Sequence, residues 1–299
     1  MFRSLRCYRI HSAWPSDEAA LSRKLETRAF KPCSPFSEQS FGFEAPLAQA
    51  DDSLARRLAG ADLLQLRLQS RVLPQAAVKE ALVDRVAAFS QRMLREPSRR
   101  EVRELKDEVF GELLPQALLK SDRLQAFYLL EERVLAVATP TAKTAELFLD
   151  TLRDALGSVQ ATPLAFKRPV TRLLTDVFLS ERKGKFQLGR ECRMKDASEP
   201  RASVTWTEVE LADPSVRKHV KDGLKVDRLA MSFDEIMSFS LDEELVTRKL
   251  KFVGLEAVDD EMDDEDPLAR HDAEFAVAVS GVRRMLDGLA GALGGFEDD

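Results

Sequence analysis

The sequence predicts an α+β fold in which antiparallel sheet carries a projecting pair of helices, and three patterns support this. Strand-like runs at residues 125–130 and 134–138 precede an amphipathic helix at 141–155, an order typical of α+β domains. Residues 229–241 contain two runs that alternate apolar and polar side chains, the pattern of half-buried strands. Residues 75–114 have apolar side chains at helical spacing and one proline break, which predicts two successive helices.

The N-terminal quarter is expected to contribute two strands and a helix. Residues 2–10 alternate loosely and predict the first strand, and residues 62–72 predict a longer strand that ends before a proline. A helix is expected between them over residues 16–28, with Ser16 as its N-cap.

The helical region at residues 75–114 combines clear helix boundaries with an excess of positive charge. Pro97 ends the first helix, and Ser98 with Glu101 forms a capping box that starts the second. From residue 85 to residue 106, seven basic side chains stand against three glutamates, a local excess of +4. A charged helix surface is usually only solvated, but clustered Lys and Arg are also what phosphate binding requires.

A second basic element is predicted in the C-terminal third. Residues 188–192 (LGREC) are expected to form a turn, after which Asp213 as N-cap, Pro214 at the first helical position and Gly223 beyond the last define a short helix. Its basic side chains lie within about one helical turn of each other; they are Arg217, Lys218 and Lys221. Two separated basic elements suggest that positive charge is sorted onto one surface.

The remaining C-terminal pattern is helical. A last helix is expected over residues 275–293, and its ALGGF ending is expected to fray. Its apolar side consists of Val279, Val282, Leu286 and Leu289. Residues 170–180 are compatible with either strand or helix.

Charge is unevenly distributed along the 299 residues. The formal net charge is −6, but residues 255–299 alone carry 14 acidic and 3 basic side chains, so residues 1–254 have a net charge of +5. The acidic run at residues 259–266 is interpreted as a solvated segment. A calcium loop is the less favoured alternative, because the run lacks the glycine and ligand spacing of an EF-hand.

No catalytic, metal or cofactor site is predicted. Three histidines lie far apart, and the nucleophile-elbow, phosphate-loop and zinc-protease motifs are absent. His271, Asp272 and Glu274 could together imitate a nuclease metal site, but the apolar pattern that follows them favours an ordinary element with exposed polar residues. Three separated cysteines fit a reducing cytosol, and no apolar run approaches the length of a membrane span. A soluble cytoplasmic protein is therefore expected.

Several stretches, taken in order, resemble the RdgC family of bacterial recombination-associated proteins. They are SLRCYRI, RVLPQAAVKEAL, LKDEVFGELLPQAL, DALGSVQATPL, FQLGRECRM, RKLKFVG and HDAEFAVAVSGVRRML. The resemblance implies an RdgC-like horseshoe subunit that pairs into a ring dimer, whose positive hole encircles duplex DNA with little sequence preference. It also implies association with the nucleoid and antagonism with RecA through occupancy of the DNA, with single-stranded DNA as a further possible ligand.

The resemblance and the element pattern together predict four regions. Residues 1–74 and 115–180 form a central α+β domain, 75–114 a helical arm, 181–254 a second α+β lobe with the basic helix and a hairpin, and 255–299 an acidic linker and C-terminal helix. The residues expected to contact DNA are Arg92, Arg95, Arg99, Arg103, Lys120, Arg123, Arg217, Lys218, Lys221 and Lys225. Those expected at the dimer contact are Leu118, Thr207 and Glu208.

Departures from the family pattern keep a second function open. Where the family has Arg-Ala-Phe after LLP, this chain has Gln116, Ala117 and Leu118. Where the family has a basic pair, it has Thr207 and Glu208. The loss of these cations should weaken DNA contact or ring closure. The alternative is therefore a dimeric scaffold of the same fold, with weakened DNA binding, that acts through a protein partner.

Overall fold

The computed structural model describes residues 2–47, 52–196, 198–199, 202–253 and 267–297. Within these ranges there are seven α-helices and thirteen β-strands. The helices are α1 (Glu18–Leu25), α2 (Gln75–Met93), α3 (Arg99–Leu113), α4 (Ala142–Leu156), α5 (Val170–Ser180), α6 (Pro214–Lys221) and α7 (Pro267–Leu293). The strands are β1 (Ser4–Ile10), β2 (Gln39–Glu44), β3 (Ala55–Leu58), β4 (Ala61–Val72), β5 (Leu118–Leu129), β6 (Val134–Val137), β7 (Ala161–Pro163), β8 (Arg182–Lys183), β9 (Phe186–Asp196), β10 (Ser203–Thr207), β11 (Leu224–Phe233), β12 (Met237–Asp242) and β13 (Thr247–Phe252).

The strands form one large antiparallel sheet, so the predicted α+β class with antiparallel pairing is confirmed. The strand order is β10-β9-β11-β12-β13-β1-β6-β5-β4-β2, and the short strands β3, β7 and β8 pair with β4, β1 and β9. β1 joins two halves of the sheet: the first half contains β2 to β7, and the second half contains β8 to β13. Leu5 pairs with Thr247 on β13, and Arg6 pairs with Val137 on β6. The division into four regions remains a prediction.

Helices cover the sheet unequally. On one face of the first half, alternate side chains pack against α1 and α4. Leu64 on β4 and Phe148 on α4, for example, belong to the same core. The opposite side chains of that half, such as Leu63, share a core with α5 and α7, and this core continues under β9 and β11 to β13. β4 is therefore buried on both faces over its first half, which explains why Leu63, Leu64 and Leu66 are all fully buried.

The two predicted helices of the 75–114 region are α2 and α3, which we call the arm. The capping box is confirmed: the Ser98 hydroxyl accepts from the Glu101 backbone N–H, and the Glu101 carboxylate accepts from the Ser98 N–H at 2.8 Å. α2 ends at Met93, because Leu94 takes a left-handed conformation with φ of 53°. Only Val78, Leu105 and Val109 are buried within the two helices, so most of the arm's surface faces solvent.

α7 packs closely on the second half of the sheet. Val279, Val282, Leu286 and Leu289 are all buried, as predicted. Two glycines allow this approach: a Cβ on Gly281 would lie 2.8 Å from the Phe252 ring, and one on Gly288 would lie 2.4 Å from the Phe233 ring. The helix begins at Pro267, eight residues before the predicted start.

Three local predictions are wrong. Asp17, not Ser16, caps α1, because its carboxylate accepts from the Ala20 N–H at 2.7 Å. Residues 188–192 lie inside β9 and form no turn. Gly189 instead permits the close approach of β9 to Ala230 on β11. The ALGGF segment is not frayed, because the Phe296 ring stacks on the Phe166 ring with their centroids 5.1 Å apart.

Three further expectations concern residues 170–180, membrane spans and the acidic run. Residues 170–180 are helical and form α5. None of the helices that the structure describes combines the length and apolarity needed to span a bilayer. The acidic run at 259–266 lies outside the described residues.

Candidate nucleic-acid interface

The arm presents exposed guanidinium groups that form no ion pair with the described residues. Arg92, Arg99 and Arg103 are exposed, and no carboxylate among the described residues pairs with them. Arg92 lies in the last turn of α2, whereas Arg99 and Arg103 lie one turn apart on α3. These three predicted DNA contacts therefore have donors available for phosphate oxygens.

Arg95 is engaged within the arm. Its guanidinium binds both carboxylate oxygens of Glu101, at 2.6 and 2.9 Å, and lies 5.3 Å from the centre of the Phe89 ring. The bond to Arg95, with that to the Ser98 backbone N–H, lowers the pKa of Glu101 to about 2. The side chain thus stabilises the loop between the helices, and its charge is largely neutralised.

Lys120 and Arg123 lie on β5 and are also paired. The Lys120 Nζ lies 2.8 Å from Asp122, and the Arg123 Nε donates to Glu44 at 2.7 Å. Arg67 stands directly opposite Arg123 in the register of β4 and β5, and it lies 3.5 Å from the same Glu44 carboxylate. Two guanidinium groups thus share one carboxylate, which leaves local positive charge.

The short basic helix is α6, and its predicted boundaries are confirmed. The Asp213 side chain accepts from the Ser215 N–H, Pro214 is the first helical residue, and Gly223 has a φ of 104°. Arg217 pairs with Glu181 at 2.9 Å. The other predicted cations are exposed without a carboxylate partner in the described part of the chain; they are Lys218, Lys221 and the adjoining Lys225 on β11.

The predicted dimer contacts lie at two separate places. Leu118 begins β5 beside the arm and is 79% exposed, next to Leu119 and its cross-strand partner Val72. Thr207 ends β10, the strand at one edge of the sheet, and Glu208 follows it with a left-handed φ of 56°. Both residues are exposed. The structure brings Leu118 into an apolar patch but places it on a different element from Thr207 and Glu208.

A polar surface on the second half of the sheet was missed by the sequence reasoning. Alternate residues of β11, β12 and β13 pack into the core with α5 and α7, and those between them point to the opposite side. We call this side the open face; its side chains include Ser232, Ser238, Ser240, Lys249 and Lys251. The period-two pattern was visible in the sequence, but the neighbouring strands were not.

The comparison with known families decides the identity. The sequence model of one family, described as "Putative exonuclease, RdgC", matches residues 1–296. The chain belongs to the RdgC family. The suspected resemblance is thereby confirmed over nearly the whole length of the sequence.

Curated RdgC relatives cover the chain from end to end. The protein of Shewanella loihica is 32% identical over 299 residues, which is 99% of both chains. That of Shewanella piezotolerans is 30% identical over 300 residues, again 99% of both. Each is named "Recombination-associated protein RdgC", a name that describes no enzyme activity.

Two of the three residues considered as a nuclease metal site pair with arginines in this RdgC chain. Asp272 forms a two-point ion pair with Arg56, and Glu274 lies 3.5 Å from Arg270. His271 is half-buried, its Nδ1 has no hydrogen-bond partner, and burial lowers the pKa of its imidazole. Among the residues that the structure describes, no group of three or more His, Cys, Asp or Glu side chains is placed to hold a metal ion.

Proposed function

We propose that this RdgC protein binds duplex DNA without sequence preference, encircles it as a ring dimer, and modulates homologous recombination by limiting the access of RecA. The observation that carries this proposal is the set of exposed cations, in two separate regions of the chain, that have no carboxylate partner among the described residues. They are Arg92, Arg99 and Arg103 on the arm, with Lys218, Lys221 and Lys225 at α6 and the start of β11.

Such cations favour contacts with phosphate over contacts with bases. Lys and Arg that meet the DNA backbone release counterions, so the affinity is electrostatic, falls steeply with salt and is similar for unrelated sequences. Protein that occupies the duplex in this way also denies it to RecA, which requires no specific contact between the two proteins. Nucleoid association follows from the same affinity.

The ring dimer is supported by two exposed surfaces at different places on the subunit. One is the apolar patch around Leu118, and the other is the edge strand β10 that ends at Thr207. A single two-fold axis that passes through both contacts makes each contact self-complementary and closes the dimer. Closure would retain DNA topologically even when the individual phosphate contacts are weak.

A specific observation also favours the scaffold alternative. Four of the ten predicted DNA contacts are already paired with carboxylates; they are Arg95, Lys120, Arg123 and Arg217. Glu208 adds an exposed carboxylate where the family has a cation. If these changes dominate, the dimer would persist and DNA binding would be lost.

Fluorescence anisotropy distinguishes the two functions. Labelled duplexes of two unrelated sequences, and labelled single-stranded DNA, are each titrated with purified protein at several salt concentrations. Equal affinities for the two duplexes and a linear fall of log affinity with log salt are expected. Absence of binding at the lowest salt, with the dimer intact, would reject DNA binding in favour of the scaffold.

A further inference from the structure

The end of the arm exposes two neighbouring apolar side chains. We call residues 92–99 the tip; they contain the loop between α2 and α3 and the residues that flank it. Leu94 is 90% exposed and Met93 is 47% exposed, so both present apolar surface to solvent. Leucine and methionine are among the residues most often buried in folded proteins. The proposed function depends on charge and does not explain why these two are exposed.

The backbone at Leu94 has a conformation that leucine seldom takes. Its φ of 53° and ψ of 29° lie in the left-handed region, where helices commonly end on glycine. A bulky side chain there is strained, and such strain persists only where the surrounding structure imposes it. The chain therefore keeps a large apolar side chain where glycine is the conformationally favoured residue.

Contacts with both helices hold the loop in this conformation. The Arg95 guanidinium binds both carboxylate oxygens of Glu101 on α3 and lies 5.3 Å from the centre of the Phe89 ring on α2. The capping box between Ser98 and Glu101 fixes the start of α3. Leu94 thus stands on a loop that is tied to α2 and to α3. An apolar group that is held in place before binding loses little conformational entropy when it enters a ligand.

The charges around Leu94 favour a polyanion as the ligand. Residues 91–100 (QRMLREPSRR) contain four arginines and one glutamate, a net charge of +3. Arg92 and Arg99 lie on either side of Leu94 in the chain, are exposed and form no ion pair with the described residues. A second copy of the tip would bring like charges together, whereas the phosphates of a duplex would pair with them.

We propose that Leu94 is a wedge that inserts between base pairs of duplex DNA, while Arg92 and Arg99 bind the flanking phosphates. Proteins that enter the minor groove often place Leu, Met or another apolar side chain between base steps, which partly unstacks them and kinks the duplex. The inference rests on the proposed function and goes beyond it. It adds a contact with bases and a preferred ligand, a duplex in which a bulge or a mismatch has already weakened the stacking.

A wedge is compatible with binding that does not depend on sequence. Flexible pyrimidine–purine steps, which are easily unstacked, occur in any mixed sequence, so two unrelated duplexes should bind equally well. A single-base bulge, in contrast, removes part of the stacking before the protein binds. The wild type is therefore expected to bind a bulged duplex about three- to tenfold more tightly than the matched duplex of the same sequence.

Fluorescence of 2-aminopurine measures the insertion, because this base analogue becomes brighter when it is unstacked. Matched duplexes that contain the analogue at several positions are saturated with each protein, and anisotropy establishes the saturation. The wild type should raise the fluorescence. Leu94→Ala should lose both this rise and the preference for bulged DNA, while it keeps the salt slope of the wild type because no charge has changed.

Three further variants separate the wedge from other effects. Leu94→Gly also removes the side chain but suits the left-handed backbone, so it should lose the fluorescence rise with a melting temperature equal to or above that of the wild type. Val83→Ala shortens a 68% exposed side chain elsewhere on α2 and should behave as the wild type. Arg99→Gln should lower the affinity yet keep the fluorescence rise at saturation.

The outcomes distinguish the wedge from the proposed function. A fluorescence rise and a bulge preference that survive in Leu94→Ala would overturn the wedge, as would a saturated wild-type complex without any rise. In both cases the proposed function stands. If the wild type binds no duplex at the lowest salt, the wedge and the proposed function fail together. A changed oligomeric state of Leu94→Ala would overturn the wedge by assigning the tip to a subunit contact.

Discussion

At the residue scale, pairing decides which cations are available to a ligand. Arg95 and Arg99 are four positions apart, yet Arg95 is held by Glu101 and Arg99 has no carboxylate partner among the described residues. A phosphate that approached Arg95 would have to displace Glu101, whereas at Arg99 it would displace only water. The spacing in the sequence does not distinguish Arg95 from Arg99 as phosphate contacts, whereas their pairing in the structure does.

Neutralising the unpaired arm cations should weaken DNA binding without sequence bias. Arg99→Gln and Arg103→Gln, separately, are each expected to lower duplex affinity about three- to tenfold and the salt slope by about one unit, because each removes one phosphate contact. Anisotropy with two unrelated duplexes measures both quantities.

Arg95→Gln is the matched control for these arm variants. Its side chain is already neutralised by Glu101, so a smaller effect on affinity is expected. A loss confined to one of the two duplex sequences, or a larger effect for Arg95 than for Arg99, would contradict the interpretation.

The half-buried imidazole of His271 should make stability depend on pH. Burial lowers its pKa below the ordinary 6.5, against the opposing effect of Glu274 and Asp272. The unfolded state then binds the proton more readily, so this contribution to stability is present above pH 6.5 and is lost as the pH falls through the folded-state pKa.

Thermal unfolding of the wild type and His271→Gln across this range measures the effect. The wild type should lose more stability than the variant as the pH drops below about 6.5. Parallel curves for the two proteins would show that the imidazole is not responsible.

At the element scale, the placement of α7 depends on residues without side chains. Gly288 faces the fully buried ring of Phe233, whereas Gly291, one turn later, has no atom within 4 Å of a built Cβ. Two glycines with the same helical environment in the sequence therefore have opposite roles, and substitution by alanine should separate them.

Gly288→Ala is expected to destabilise the protein by about 1–3 kcal/mol, because the added methyl group overlaps a ring that cannot move without disturbing the core. Gly291→Ala should stabilise it by up to about 1 kcal/mol through helix propensity alone. Urea unfolding of both variants compares them directly. Equal effects would mean that α7 does not pack as described.

The proposed contact between subunits also depends on the placement of elements. Leu118→Glu places a charge in the exposed apolar patch beside Val72 and Leu119. The proposed dimer should weaken about tenfold or more, as expected for the loss of an apolar anchor. Sedimentation over a concentration series measures this. Val83→Glu on the arm, at a residue 68% exposed, is the control. A dimer unaffected by the Leu118 change would exclude this patch.

At the scale of the whole molecule, positive and negative charge are separated along the chain. Residues 259–266 carry seven carboxylates, and their neutralisation to Asn and Gln would change the formal net charge from −6 to +1. Duplex affinity should rise several-fold at low salt, because the protein's overall field no longer repels DNA.

The same comparison in concentrated salt is its control. The difference between wild type and the neutralised variant should disappear near 1 M salt, where the Debye length is about 3 Å. An affinity gain that persists there would indicate a direct contact instead of a field effect.

The sequence by itself determined what depends on local chemistry. The capping box at Ser98, the cap and stop of α6, and the apolar side of α7 were all predictable, because each involves neighbours within one or two helical turns. The family was equally accessible, since ordered motifs along the chain carry it. The charge asymmetry needed only counting.

Only the tertiary structure decided what depends on pairing between distant segments. Arg123 meets Glu44 and Arg217 meets Glu181 because strands and helices far apart in sequence are brought together. The burial of β4 on both faces has the same origin. Sequence patterns report the side of an element on which a residue lies, but the packing of other elements determines what that side meets.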